Sequence, residues 1–151
     1  MLRNKQTIFD FERGDCWRTC IANALDLYLD DVPNFCAKGS DTFDVEGRRE
    51  DWYRRTVLWL RSRGFGLITF NWPLPDGTGL IPPEGLVLIT GPSPRNKEKN
   101  HVILGRIETA YVQSGDGYSL TYTMLCEHDP HPDDTFLSGE PVEISMIVKT
   151  L

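Results

Sequence analysis

Between residues 16 and 28 the apolar positions recur at helical spacing: Trp17, Ile21, Ala24, Leu25 and Tyr28 fall on one stripe, with Arg18, Asn23 and Asp26 off it. The pattern predicts a helix that begins near Asp15 and turns that stripe toward a core. "LDDVPNF" (29–35) is expected to end it, because Pro33 cannot continue the turn before it. A second helix is expected over 46–63, where Trp52, Tyr53, Val57, Trp59 and Leu60 are interleaved with arginines, and Gly64 should close it. Beyond Gly64 the period changes. Short β-rich runs succeed one another, "FGLITF", "GLVLITG", "HVILGRI", "SLTYTMLCE" and "VEISMIVKT", parted by Pro- and Gly-rich connections such as "NWPLPDGTGLIPPEG" and "QSGDGY". Helices first and strands afterwards predict an α+β fold with an antiparallel sheet.

The 151 residues suit one domain, 1–151, with no internal repeat and no dividing linker. A net charge of −6, with lysines and arginines scattered among acids, offers no footprint for a polyanion, so nucleic acid is not an expected partner. No apolar run approaches the roughly 20 residues that span a bilayer, and the first residues are too polar for an export signal. The expectation is a soluble cytoplasmic protein without a membrane partner. In that setting Cys16, Cys20, Cys36 and Cys126 should be free thiols rather than disulfides.

A free thiol can do chemistry, and Cys16 is placed for it. It would occupy the first turn of its helix, where unpaired N–H groups and the helix dipole favour a thiolate. The competing reading is that Cys16 only packs, and that Asp15 beside it opposes ionisation. Cys20, one turn on, is read as core. Of the three histidines, His101 opens the run "HVILGRI", so its backbone should be held by a sheet; an ordinary surface histidine is the alternative. The next strand leads into "CEHDPHPDD", where Asp129 leaves the sheet beside the strand of His101 and could orient its ring. Pro130 stiffens the backbone there, whereas Asp133 and Asp134 are expected to be solvated.

A cysteine opening the first long helix, a histidine opening a later strand and Asp129-Pro130 ending the next match the order of papain-like cysteine peptidases, and resemble most the peptidase domains that trim bacteriocin leaders. Cys16-Trp17 is similar to the Cys-Trp pair of papain. The fuller string "GDCWRTCIANALDL…DDVPNF…GPSPR…NHVILGR…HDPHP" resembles small papain-fold proteins encoded by phages and bacteria. The resemblance spans Gln6 to about Leu137. It implies a papain-like α+β fold, with N-terminal helices packed on an antiparallel sheet, and a Cys16, His101 and Asp129 triad working on a peptide or protein substrate, with a host protein among the candidates. In such enzymes a glutamine ahead of the nucleophile supplies an oxyanion donor. Asp10 stands at that spacing here, and Gln6 is the nearest glutamine. Gln6 is therefore the candidate oxyanion residue, against the reading of a solvated side chain in a frayed terminus. Trp17, Ser93 and Arg95 are candidate substrate contacts.

Two other readings stand beside this one. One is a catalytically inactive papain fold kept as a binding or inhibitory module, phage-encoded and aimed at a host protein. The other is a metal-dependent hydrolase built on Glu127, His128, Asp129, His131, Asp133 and Asp134, with Cys16 merely packed. Those donors sit on one loop in no usual ligand spacing, and no metal or cofactor is expected.

Overall fold

A computed structural model of the chain describes residues 2–9, 14–36, 51–75 and 81–151. The first helix, α1 (Cys16–Ala24), starts at Asp15, whose carbonyl accepts the Thr19 N–H at 2.8 Å and the Thr19 hydroxyl at 2.7 Å. It ends much sooner than Pro33. Asp26 takes a left-handed conformation (φ 57°), Leu27 N–H returns to the Ala22 carbonyl at 2.9 Å and Asp26 N–H to that of Asn23 at 3.3 Å. These are the two bonds of a Schellman stop, with aspartate in the place glycine usually takes. Tyr28 therefore lies beyond the helix and is exposed, while Asn23, expected off the apolar stripe, is buried.

A 3₁₀ turn at Leu29–Asp31 leads on. The second helix, α2 (Asp51–Arg61), stops two residues short of the expected 63 and is followed by a turn to Gly64, which adopts φ 78°; the expected start at 46–50 lies outside the described residues. Leu60 and Thr56 of α2 are buried, and Tyr53 reaches β-sheet residue Thr69 through a 3.0 Å hydroxyl contact.

The sheet has five strands: β1 (Phe65–Asn71), β2 (Gly85–Pro92), β3 (Asn100–Ser114), β4 (Gly117–His128) and β5 (Glu143–Lys149). All pairings are antiparallel, in the order β1-β5-β2-β3-β4. The α+β class is thus as the periodicity predicts. The C-terminal strand inserts between the first two, so β2 is central and Val87, Leu88 and Ile89 are all buried. One face of the sheet (Leu88, Val102, Leu104) packs under α1 and α2 with Trp17, Cys20 and Ile21. The other (Val87, Ile89, Ile103, Ile107, Ile144, Met146) is covered by side chains of connecting segments, among them Trp72, Phe136 and Leu137.

One irregularity decides which way the end of β4 faces. Leu104 pairs with His128 but Gly105 pairs with Cys126, so β4 carries Glu127 as an extra residue. Paired residues share a face. Met124, opposite Ile107, lies on the face away from the helices, whereas His128, four residues later and opposite Leu104, lies on the helix face. The bulge has reversed the alternation just before Asp129. Gly105 makes room for it: a Cβ there would stand 2.3 Å from Ile89 Cδ1 and 2.5 Å from the Leu125 carbonyl oxygen.

Candidate active site

The site forms where the start of α1, the start of β3 and the end of β4 meet under the N-terminal segment. His101, the second residue of β3, is 3% exposed, and Asp129, the residue after β4, is fully buried. His101 Nε2 and Asp129 Oδ1 are 2.6 Å apart. An ionised carboxylate only accepts, so Nε2 carries a proton, and in the neutral ring Nδ1 holds the lone pair. The side chain of Cys16, the first residue of α1 and half-buried, lies close enough to this ring to favour its charged form. The structure thus brings together Cys16, His101 and Asp129.

Asp129 is held from every side. Its Oδ1 also accepts the His131 N–H at 2.8 Å, and Oδ2 accepts the Phe136 N–H at 2.8 Å. Burial pushes its pKa up, but the bonds from His101, His131 and Phe136 outweigh burial and hold it below the ordinary 3.8. For His101 burial disfavours the charged ring, yet the bond to Asp129 and then the neighbouring Cys16, with their charges, carry its pKa above 6.5. These shifts have opposite consequences for stability. The His101 contribution is complete below about pH 6.5 and disappears as the pH rises through the raised value; that of Asp129 is complete above 3.8 and lost as the pH falls through the lowered one. In urea melts over a pH series, the advantage of the wild type over His101→Gln is expected to shrink on the alkaline side of 6.5. A difference that instead grows with pH would show that the ring is held neutral.

The N-terminal segment is a strap stitched to both halves of the site. The Asn4 carbonyl faces His128 Nε2 at 3.0 Å, Lys5 Nζ donates to the carbonyl of Asp129 at 2.9 Å, and Gln6 N–H donates to that of Pro130 at 2.8 Å. Next, Thr7 and Ile8 N–H donate to the fully buried Asp15 carboxylate, both at 3.0 Å to Oδ1, and the Thr7 hydroxyl adds a 2.9 Å bond. Asp15, read from sequence as a hindrance to Cys16, therefore anchors this strap to the start of α1. Gln6 is 7% exposed rather than frayed. Its Nε2 donates to the Ile8 carbonyl at 3.1 Å, the same oxygen that accepts Asp15 N–H, which places the amide beside the start of α1; its Oε1 is buried without a partner. Asp10 lies outside the described residues.

No family model, curated protein or solved structure matches the chain. The chemistry of the site therefore rests on its own atoms.

Trp17 and Ser93, expected to touch substrate, are interior. Trp17 is 3% exposed, packs edge-on against Trp52 and spends its indole N–H on Thr56 at 3.0 Å. Ser93 is fully buried, and its Oγ accepts the Arg95 N–H. Arg95 NH1 is engaged by both Asp133 oxygens, at 2.9 and 3.0 Å, and by Thr135 Oγ1 at 3.1 Å. Asp133 and Asp134 are correspondingly less free than their loop position suggests: Thr135 and Arg95 hold the Asp133 carboxyl well below its usual range, and Asp134 pairs with Lys5 at 2.6 Å. Of the other donors on this loop, Glu127 pairs with Arg106. Among the described residues no group of three or more His, Cys, Asp or Glu is arranged to hold a metal ion. None of the helices among the described residues is long and apolar enough to cross a membrane.

Cys20 is buried under the site, with Sγ 3.5 Å from the Val102 carbonyl. Burial, then the neighbouring Cys16 and Asp129, push its pKa well up, so it stays a thiol. Burial pushes Cys126 up as well.

Proposed function

We propose that the chain is a cysteine-dependent acyl-transfer enzyme of papain-like architecture, a peptidase, isopeptidase or amidase. The observation that carries this reading is the buried His101–Asp129 pair at 2.6 Å with the Cys16 side chain near the ring. Cys16 gives its proton to His101 Nδ1, and the sulfur attacks a substrate carbonyl carbon. Asp129, bonded through Nε2, stabilises the imidazolium and keeps the ring oriented. The oxyanion lies near the unpaired backbone N–H groups that open α1, and the second N–H of Gln6 Nε2 is the side-chain donor for it. Collapse breaks the C–N bond as the imidazolium protonates the leaving amine. A thioester remains on Cys16. Water, giving a proton to Nδ1, then releases the acid and regenerates the thiol; an amine in its place would make the enzyme a transferase.

The substrate on this reading is a peptide or protein, for which a host protein of a phage remains a candidate. The resemblance to papain-fold proteins supports the choice, as does the burial of the base, since a dry site strengthens the His101–Asp129 interaction.

The test maps thiols. An electrophilic probe ending in glycine or leucine is expected to label Cys16, and simple alkylation between about pH 5 and 8 should be faster at Cys16 than at Cys20, Cys36 or Cys126. Labelling of Cys20 in preference, or slow and pH-independent reaction at Cys16, would leave the fold as a binding or inhibitory module.

A further inference from the structure

The segment that leads into β3 and the segment that leaves β4 are joined by one ion pair at the rim of the site. Arg95, six residues before His101, meets Asp133, four residues after Asp129, and both residues are solvent-exposed. On its own this would be a surface pair of small worth. What distinguishes it is where its bonds lead. Asp133 Oδ1 also accepts the Thr135 N–H at 3.2 Å and the Thr135 hydroxyl at 2.9 Å. Thr135 is followed directly by Phe136, whose N–H holds Asp129 Oδ2. On its other side Asp133 lies 2.9 Å from His131 Nδ1, and its own N–H points at that atom at 3.2 Å. His131 supplies the N–H that holds Asp129 Oδ1, and its ring stands edge-on to His101 with centroids 6.5 Å apart. One backbone donor that fixes the Asp129 carboxylate therefore belongs to a residue that Asp133 contacts, His131, and the other, Phe136, directly follows one that it contacts, Thr135.

We propose that Arg95 and Asp133 are positioning residues, a clamp that fixes the Asp129 carboxylate, and through it the His101 ring, by tying the 93–99 segment to the 129–136 loop. This rests on the proposed triad and extends it outward. It also changes the expected role of Arg95, whose NH1 is spent on the protein: as a substrate anchor Arg95 would act on KM, whereas as a clamp it acts on kcat. Because a single nitrogen makes all three contacts, a lysine ammonium can replace it. A neutral side chain cannot.

The experiment compares Arg95→Met, Arg95→Lys and Asp133→Ala in the full chain. The primary readout is the ring Nε2–H of His101 by proton–nitrogen NMR, assigned by its loss in His101→Gln. In the wild type a strong bond to Asp129 gives a downfield, slowly exchanging signal. Arg95→Met and Asp133→Ala are expected to move it toward free imidazole and speed its exchange, with melting temperature little changed, while Arg95→Lys restores it. Turnover of a peptide substrate should fall about 10- to 100-fold in kcat, the scale of a small misplacement of reacting groups, with KM nearly constant. An unchanged ring signal in Arg95→Met, equal loss in Arg95→Lys and Arg95→Met, or an effect confined to KM would overturn the clamp. The ring signal needs no turnover, so a wild type whose Cys16 proves unreactive would refute the acyl-transfer reading while the same spectra still decide the clamp.

Discussion

Cys16→Ala is expected to abolish both probe labelling and turnover, a loss on the order of 10⁴- to 10⁶-fold in kcat, and His101→Gln to fall nearly as far. The two should not add. His101 is fully engaged only as the partner of Cys16 and Asp129, so once the sulfur is gone the base has no proton to take. The double variant is therefore expected to match Cys16→Ala within experimental scatter, measured as residual kcat above buffer. Both should fold: Cys16 is half-buried at the start of a helix whose packing rests on Trp17, Cys20 and Ile21, and glutamine at 101 keeps an amide to meet Asp129. Additive losses would mean that Cys16 and His101 do not work as a unit.

Asp129→Asn should carry the second largest effect, and it should act on activity and stability together. The carboxylate accepts three bonds, from His101 and the His131 N–H on Oδ1 and from the Phe136 N–H on Oδ2. Asparagine has one acceptor oxygen. If that oxygen keeps His101 and His131, its NH₂ faces the Phe136 N–H; if it turns to Phe136, it confronts His131 and drives His101 into the other tautomer, moving the lone pair away from Cys16. In a fully buried position each unmet donor costs about 1–3 kcal/mol. The expected outcome is a kcat lower by about 10⁴ with a depressed melting temperature. Asp134→Asn, on an exposed pair with Lys5, should be nearly silent. A variant at 129 with wild-type stability and turnover would remove Asp129 from the site.

Much of the architecture is visible in residue order, and the exceptions have physical causes. The five strands announce themselves by β-branched and alternating runs, but β3 continues seven residues past the expected end at Ile107 because its outer half pairs with β4 alone and is largely exposed. Nothing in a strand's own pattern says which neighbour it will choose, so the insertion of β5 between β1 and β2 is invisible from sequence. Pro33 marks a place where a helix cannot persist, yet the Asp26 stop acts first, and an aspartate in a left-handed conformation gives no signal comparable to glycine. Cys16, His101 and Asp129 could be named because helix start, strand start and strand end are local features. The roles of His128 and the Arg95–Asp133 pair depend on partners far along the chain, and that of Asp15 on how the segment before it folds back. For His128 the obstacle is sharper, since simple alternation from Met124 assigns it to the wrong face and only the extra residue at 127 corrects it.

On the acyl-transfer reading, the strap that crosses the site has a consequence for the time at which the protein would become chemically competent. Asn4 meets His128 across 124 residues of sequence, and Gln6 meets Pro130. Synthesis proceeds from the N-terminus, so Cys16 leaves the ribosome well before β3 exists and long before the loop that orients the base. Closing so long a loop is also among the slower demands of folding, because its entropy is paid before the contacts repay it. Through most of its synthesis Cys16 then has neither the His101 ring near it nor the strap bonded to Asp15 and the 128–130 segment. On the acyl-transfer reading, reactivity would arrive only when the N-terminal strap has met the 128–134 segment, which would delay self-inflicted acylation or cleavage until β4 is in place.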